Sequence, residues 1–150
     1  MSKKEKKTKK STAPSTKETV LLKKSTDSQN PIWVFDQLDK DGLFRFDLNR
    51  SDFNHKEFLD KMISYSNISW IEIKKQTHDQ KNKSKHHFLD YDSLSAEAKD
   101  RIKRLNLEED TDRIFSFALQ NKLRIIGLRD DEFFHVIWYD PEHNFCPSNR

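Results

Sequence analysis

With 150 residues, 33% of them hydrophobic and 35% charged, the chain suits one domain with a small core, carried largely by its 11 Phe, 3 Trp and 3 Tyr. A single cysteine excludes an intramolecular disulfide, and no run of about 18 apolar residues is present to span a membrane. Two glycines exclude the glycine-rich phosphate cradles of nucleotide-binding proteins, and the basic start lacks the apolar segment of a secretory signal, so a cytoplasmic protein is expected.

The net charge of +3 is unevenly spread. Residues 1–30 hold nine Lys and three acids, a net of +6, whereas residues 31–150 hold 19 basic and 22 acidic residues, a net of −3. The expected organisation is a disordered Lys-rich tail over 1–30 and a single α+β domain over 31–150. The tail has only one short apolar cluster, Val20-Leu21-Leu22, too little to offset the entropy of ordering it. A solubilising leader is the simplest account. Two others are a salt-sensitive grip on nucleic-acid phosphates through Lys3, Lys4, Lys6, Lys7, Lys9 and Lys10, and a docking segment centred on Val20–Leu22.

From Pro31, the runs Ile32–Phe35 and Leu43–Leu48 flank the turn signal "DKDG". Phe44, Phe46 and Leu48 alternate with Arg45 and Asp47, which predicts a half-buried strand. "DQLDKDG" lacks the later Glu and the ligand alternation of a calcium loop. Ser51 is the expected N-cap of a helix with Phe58, Leu59, Met62 and Ile63 on its apolar face and Asn67 at its end. Ser69 opens a second helix that buries Trp70 and Ile73. "THDQKNKSKHH" reads as a polar, mobile loop. Ser95 caps a third helix lined by Ala98, Ile102 and Leu105, and "NLEEDTD" connects onward.

Three strands finish the chain: "RIFSFAL", "LRIIGLR" and "FFHVIWYD", joined at "QNK" and "DDE". The last is apolar on both faces apart from His135, which predicts a central strand, and Pro141 ends it. Helices packed on an antiparallel β-meander are the expected architecture.

Chemistry has few candidates. Adjacent His86 and His87 point to opposite sides of an extended segment, so only one can serve a site. His135 reads as a core histidine, and His143, just past Pro141, as the histidine best placed for catalysis. His143-x-x-Cys146 is half a zinc site with nothing nearby to complete it, so neither metal nor other cofactor is expected. Lys122 and Arg124 sit at the hairpin and Arg129 ends the middle strand. Arg124 and Arg129 fall on opposite faces unless a bulge at Gly127 brings them together.

The segment "RIFSFALQNKLRIIGLRDDEFFHVIWYDPEH" resembles the last three strands of the RelE/ParE-like toxin superfamily, across roughly the final third of the chain. "SWIEI" with "RIIGLR…FHVIWYDPEH" is also similar to small uncharacterised bacterial and phage-borne proteins. The toxin resemblance implies metal-free RNA cleavage, in which the 2′-OH attacks the adjacent phosphate. It implies an mRNA or ribosomal substrate and a partner antitoxin. By position it implies that Arg124 or Arg129 stabilises the phosphoryl charge, and that Tyr139 and His143 do acid or base work, with His87 a second proton-transfer group. The alternative class is a non-enzymatic phage or mobile-element module that binds a host protein.

Overall fold

The computed structural model describes residues 25–78 and 83–147; Val20–Leu22 and the six tail lysines proposed to grip phosphates, Lys3 to Lys10, lie outside them. The chain is α+β. A five-stranded sheet is built from β1 (Ile32–Val34), β2 (His87–Phe88), β3 (Ile114–Ala118), β4 (Arg124–Asp130) and β5 (Phe133–Asp140). Helices α1 (His55–Ser66), α2 (Trp70–Lys75) and α3 (Ala96–Arg104) cover its faces, with 3-10 turns at Tyr91–Ser93 and Glu108–Arg113.

The strand order is β1-β5-β4-β3-β2. The predicted meander β3-β4-β5 is present, extended by antiparallel β2 at one edge. The sheet is nevertheless mixed rather than antiparallel, because β1 pairs with β5 in parallel, Ile32 opposite Phe133. β5 is therefore central, as its two-sided apolar sequence requires.

Two cores flank the sheet. One packs Met62 and Tyr65 of α1 and Trp70 and Ile73 of α2 against Phe115, Phe117, Ile125, Phe134, Val136 and Tyr139. The other packs Ala98 and Ile102 of α3 against Ile114, Ile126, Leu128, Ile137, Trp138 and Phe145. Ile137 and its neighbour Trp138 share a core because pairing slips there: Ile126 faces Trp138 while Gly127 faces Val136, leaving Ile137 as the extra residue of a bulge. Gly127 permits this approach, since a Cβ there would lie 1.9 Å from the His135 carbonyl oxygen.

Several local expectations are corrected. Residues 44–48 form no strand, although Phe44 and Phe46 are buried. Phe44 belongs to the α3-side core and Phe46 to the α1-side core, so the segment wraps the sheet's end instead of presenting one face. Its backbone is held by bonds from Tyr139 N–H to the Phe44 carbonyl and from Phe46 N–H to the Asp39 carbonyl. Helix α1 starts at Asn54, not Ser51: the Asn54 side chain accepts the Glu57 amide. Its buried face is Met62 and Tyr65 with Phe58 partly covered, while Leu59 and Ile63 are exposed.

Helices α2 and α3 follow the sequence reading. Ser69 and Glu72 make a capping box, and Trp70 and Ile73 are fully buried; Ser95 caps α3 through the Ala98 amide. Residues 25–30 also contact the domain: Gln29 and Asp27 carbonyls accept from the Trp70 and Ile71 amides.

Candidate nucleic-acid interface

The proposed catalytic residues divide between the two ends of the sheet. Arg124, His87, Tyr139 and His143 belong to one end. Arg129 belongs to the other, five residues and about 16 Å along β4. The irregularity does fall at Gly127, but its extra residue is on β5. Alternation along β4 is intact, so Arg124 and Arg129 stay apart.

Arg129 is nearly buried beneath Trp70, its guanidinium 4.2 Å from the ring. It donates to the Asp131 carbonyl, to Thr26 Oγ1 and, at 2.6 Å, to the Asp27 carboxylate. That side chain fastens residues 26 and 27 to the sheet. Tyr139 is 1% exposed and stacks on Phe53 at 4.2 Å. Its hydroxyl accepts from the Asn54 amide and donates to the Asp52 carbonyl, and burial raises its pKa. A phenol so placed holds the start of α1.

Arg124 donates from one nitrogen to the carbonyls of Asn121 and Leu123, closing the β3–β4 turn. Burial lowers its pKa, with Asp140 acting in opposition. Asp140, opposite Arg124 in the ladder and 1% exposed, accepts the amides of Asn144 and Phe145. Its pKa is raised by burial against those two amides and Arg124. "DPEHNF" is thus a turn organised by Asp140, in which His143 takes a left-handed backbone (φ 60°). Cys146 donates weakly to the Ser93 carbonyl, and burial raises its thiol pKa. Among the described residues no group of three or more His, Cys, Asp or Glu is arranged to hold a metal ion. No helix among them is long and apolar enough to cross a membrane.

His86 and His87 point apart as expected. His86 is 1% exposed, among the rings of Tyr65 and Phe117. Its Nδ1 accepts the Ala118 amide, which fixes the proton on Nε2, and Nε2 donates to Gln76 Oε1 at 2.7 Å. Burial first, then neighbouring cations, lowers its pKa to about 3. His87 is exposed on edge strand β2, opposite Ser116. Ring desolvation is the chief cause of its lowered pKa, opposed by a backbone bond and aided by Arg124 and His78.

The segment between α2 and β2, rich in Lys and His and expected as a mobile loop, is the feature whose pairing the sequence reading missed. Its described ends, residues 76–78 and 83–85, pair into an arm: Thr77 bridges Ser84, His78 N–H donates to the Lys83 carbonyl, and Lys85 N–H to the Gln76 carbonyl. Residues 74–87 carry five Lys and one Asp, a net of +4. Residues 25–73 have five basic and nine acidic residues and residues 88–150 have nine and thirteen, together a net of −8. Lys74 pairs with Asp27 at 2.8 Å. Among the described residues no carboxylate pairs with Lys75, Lys83, Lys85 or Lys122. The signal was present in the sequence as a local composition shift, hidden when charge is summed over the whole domain.

No family model, curated protein or solved structure matches the chain.

Proposed function

We propose that the domain binds RNA through the basic arm. The observation that supports this is the charge partition, +4 over residues 74–87 against −8 in the rest of residues 25–150. Gathering charges of one sign in one arm, while the scaffold is acidic, orients a polyanion toward the arm and repels it elsewhere. Phosphate contacts by Lys75, Lys83 and Lys85 displace counterions, which gives affinity without sequence preference.

Toxin-like cleavage, implied by the resemblance, rests within this reading on Arg124 and His87. Both lie at the arm's end of the sheet, and His87 is neutral and able to accept a proton from a 2′-OH. Arg129 and Tyr139 are assigned to structure, because their polar atoms tie together segments distant in sequence, whereas Arg124 commits one nitrogen, Nη1, to its own turn.

The test is fluorescence anisotropy with a labelled oligouridylate over a salt series. Changing Lys75, Lys83 and Lys85 together to Gln should weaken binding and flatten the log–log salt slope by about 2, since each lysine on a single strand contributes about 0.7. The tail contributes equally to both proteins. An unchanged slope, or a preference for the deoxy oligomer, overturns the reading. Cleavage predicts chelator-insensitive products with cyclic phosphate ends, lost in Arg124→Gln and His87→Gln. A stoichiometric host-protein partner without RNA binding would instead establish the interaction-module class.

A further inference from the structure

Resting on that RNA-binding reading, we propose that β2 is a base-stacking platform, with Phe88 its stacking residue, so that the ligand is single-stranded rather than duplex RNA. Phe88 lies directly after the arm, on the outermost strand of the sheet, and is 42% exposed. Burying such a ring is favourable, so leaving it partly open at a basic surface forgoes stability.

Its packing holds the ring in place without enclosing it. Phe88 meets Phe115 edge-to-face, with centroids 5.0 Å apart and planes at 78°. That geometry covers at most one face of Phe88. Phe115 is itself fixed by Trp70, 5.3 Å away at 84°. The platform is rigid because its support belongs to the core, and it faces the same side of the sheet as α2, from which Lys75 extends. A bend at Lys85 and His86 separates the arm from the ring. Backbone phosphates along the arm therefore deliver the following base to Phe88, while Asp90 and Asp92 limit the basic surface beyond it. Aromatic stacking with a cationic track is the arrangement that grips unpaired bases; a duplex hides its base faces and gains nothing from the ring.

The experiment uses the full chain with Phe88→Leu, which keeps apolar packing on Phe115, and Phe88→Trp, which keeps a stacking face. Phe88→Leu should weaken oligouridylate binding at least about fivefold, Phe88→Trp should restore it, and a duplex of equal length should bind all three proteins equally. Ultraviolet crosslinking of the wild-type complex, mapped by mass spectrometry, should place the adduct on Phe88. Phe88→Leu binding like wild type, or adducts confined to other residues, overturns the platform. If Phe88→Leu fails to fold, the wild-type crosslink alone decides. The two readings fail separately: loss of platform effects with the lysine-dependent salt slope intact removes only the platform, whereas an unchanged slope removes the arm.

Discussion

His86 should make the fold sensitive to mild acid. Its Nδ1 is occupied by the Ala118 amide and its Nε2–H by Gln76, so the folded site accommodates only neutral imidazole. A second proton would face the Ala118 N–H and have no acceptor. With a folded pKa of about 3 against an ordinary 6.5, the sign is fixed. Above the unfolded value both states are neutral, and His86 imposes no penalty. As pH falls below it, the unfolded chain takes up a proton that the folded chain refuses, so stability is lost. The loss grows by about 1.4 kcal/mol per pH unit and levels off near the folded pKa. Between about pH 8 and about pH 5 it amounts to about 2 kcal/mol.

The assay is urea unfolding of wild type and His86→Gln at both pH values. Glutamine offers an acceptor to Ala118 and a donor to Gln76 but does not titrate. The wild type should lose about 2 kcal/mol more than the variant across the interval, other groups cancelling in the difference. Parallel losses in the two proteins would refute the neutral, locked histidine.

Three further predictions test the scaffold. Gly127→Ala drives a methyl into the His135 carbonyl, so it should cost more than about 4 kcal/mol, read as loss of a cooperative urea transition. Arg101→Leu strands Asp39, which is 2% exposed and bonded by Arg101 at two oxygens and by Trp138 Nε1; it should cost about 3 kcal/mol and shift Trp138 fluorescence. Tyr139→Phe leaves the Asn54 amide without its acceptor and should cost about 1–3 kcal/mol in urea while leaving RNA binding unchanged. A Tyr139→Phe variant with wild-type stability would refute its structural role.

Periodicity was legible where an element is regular and packs on one side. Ser69 and Ser95 cap helices because each is followed by core residues at helical spacing, and the strands around Ile114–Ala118, Arg124–Asp130 and Phe133–Asp140 stand as read. Failures cluster over residues 35–54, where tertiary bonds override local pattern. Phe44 and Phe46 mimic a strand, yet the chain reverses around the sheet's end and sends them to opposite cores. Ser51 loses the cap to Asn54 because Tyr139, 85 residues away, holds the Asn54 amide. The parallel partner of β5 was likewise out of reach, since nothing in Ile32–Val34 records which strand it will meet. For the site, residue type alone could not show that Arg129 and Tyr139, singled out near strand ends, each hold two or more partners in the scaffold.

That bracing follows from composition. A chain with few hydrophobics and a long irregular stretch must satisfy many backbone groups without helix or sheet ladders. Long polar side chains reach them. Arg50 donates to the Leu43 and Arg45 carbonyls, Tyr139 serves Asp52 and Asn54, Asp140 takes two amides of its own turn, and Arg129 fastens residues 26 and 27. A polar side chain committed to two or three backbone partners loses them if it swings toward a ligand. Residues available for recognition are those the scaffold does not consume, and among the described residues three such lysines and a half-open aromatic ring gather on one feature. Lys75, Lys83 and Lys85 have no carboxylate partner there, and Phe88 keeps much of its ring in solvent beside them. The proposed binding surface therefore lies on the arm and edge strand β2, and the aromatic run that ends the chain packs into the frame that holds them.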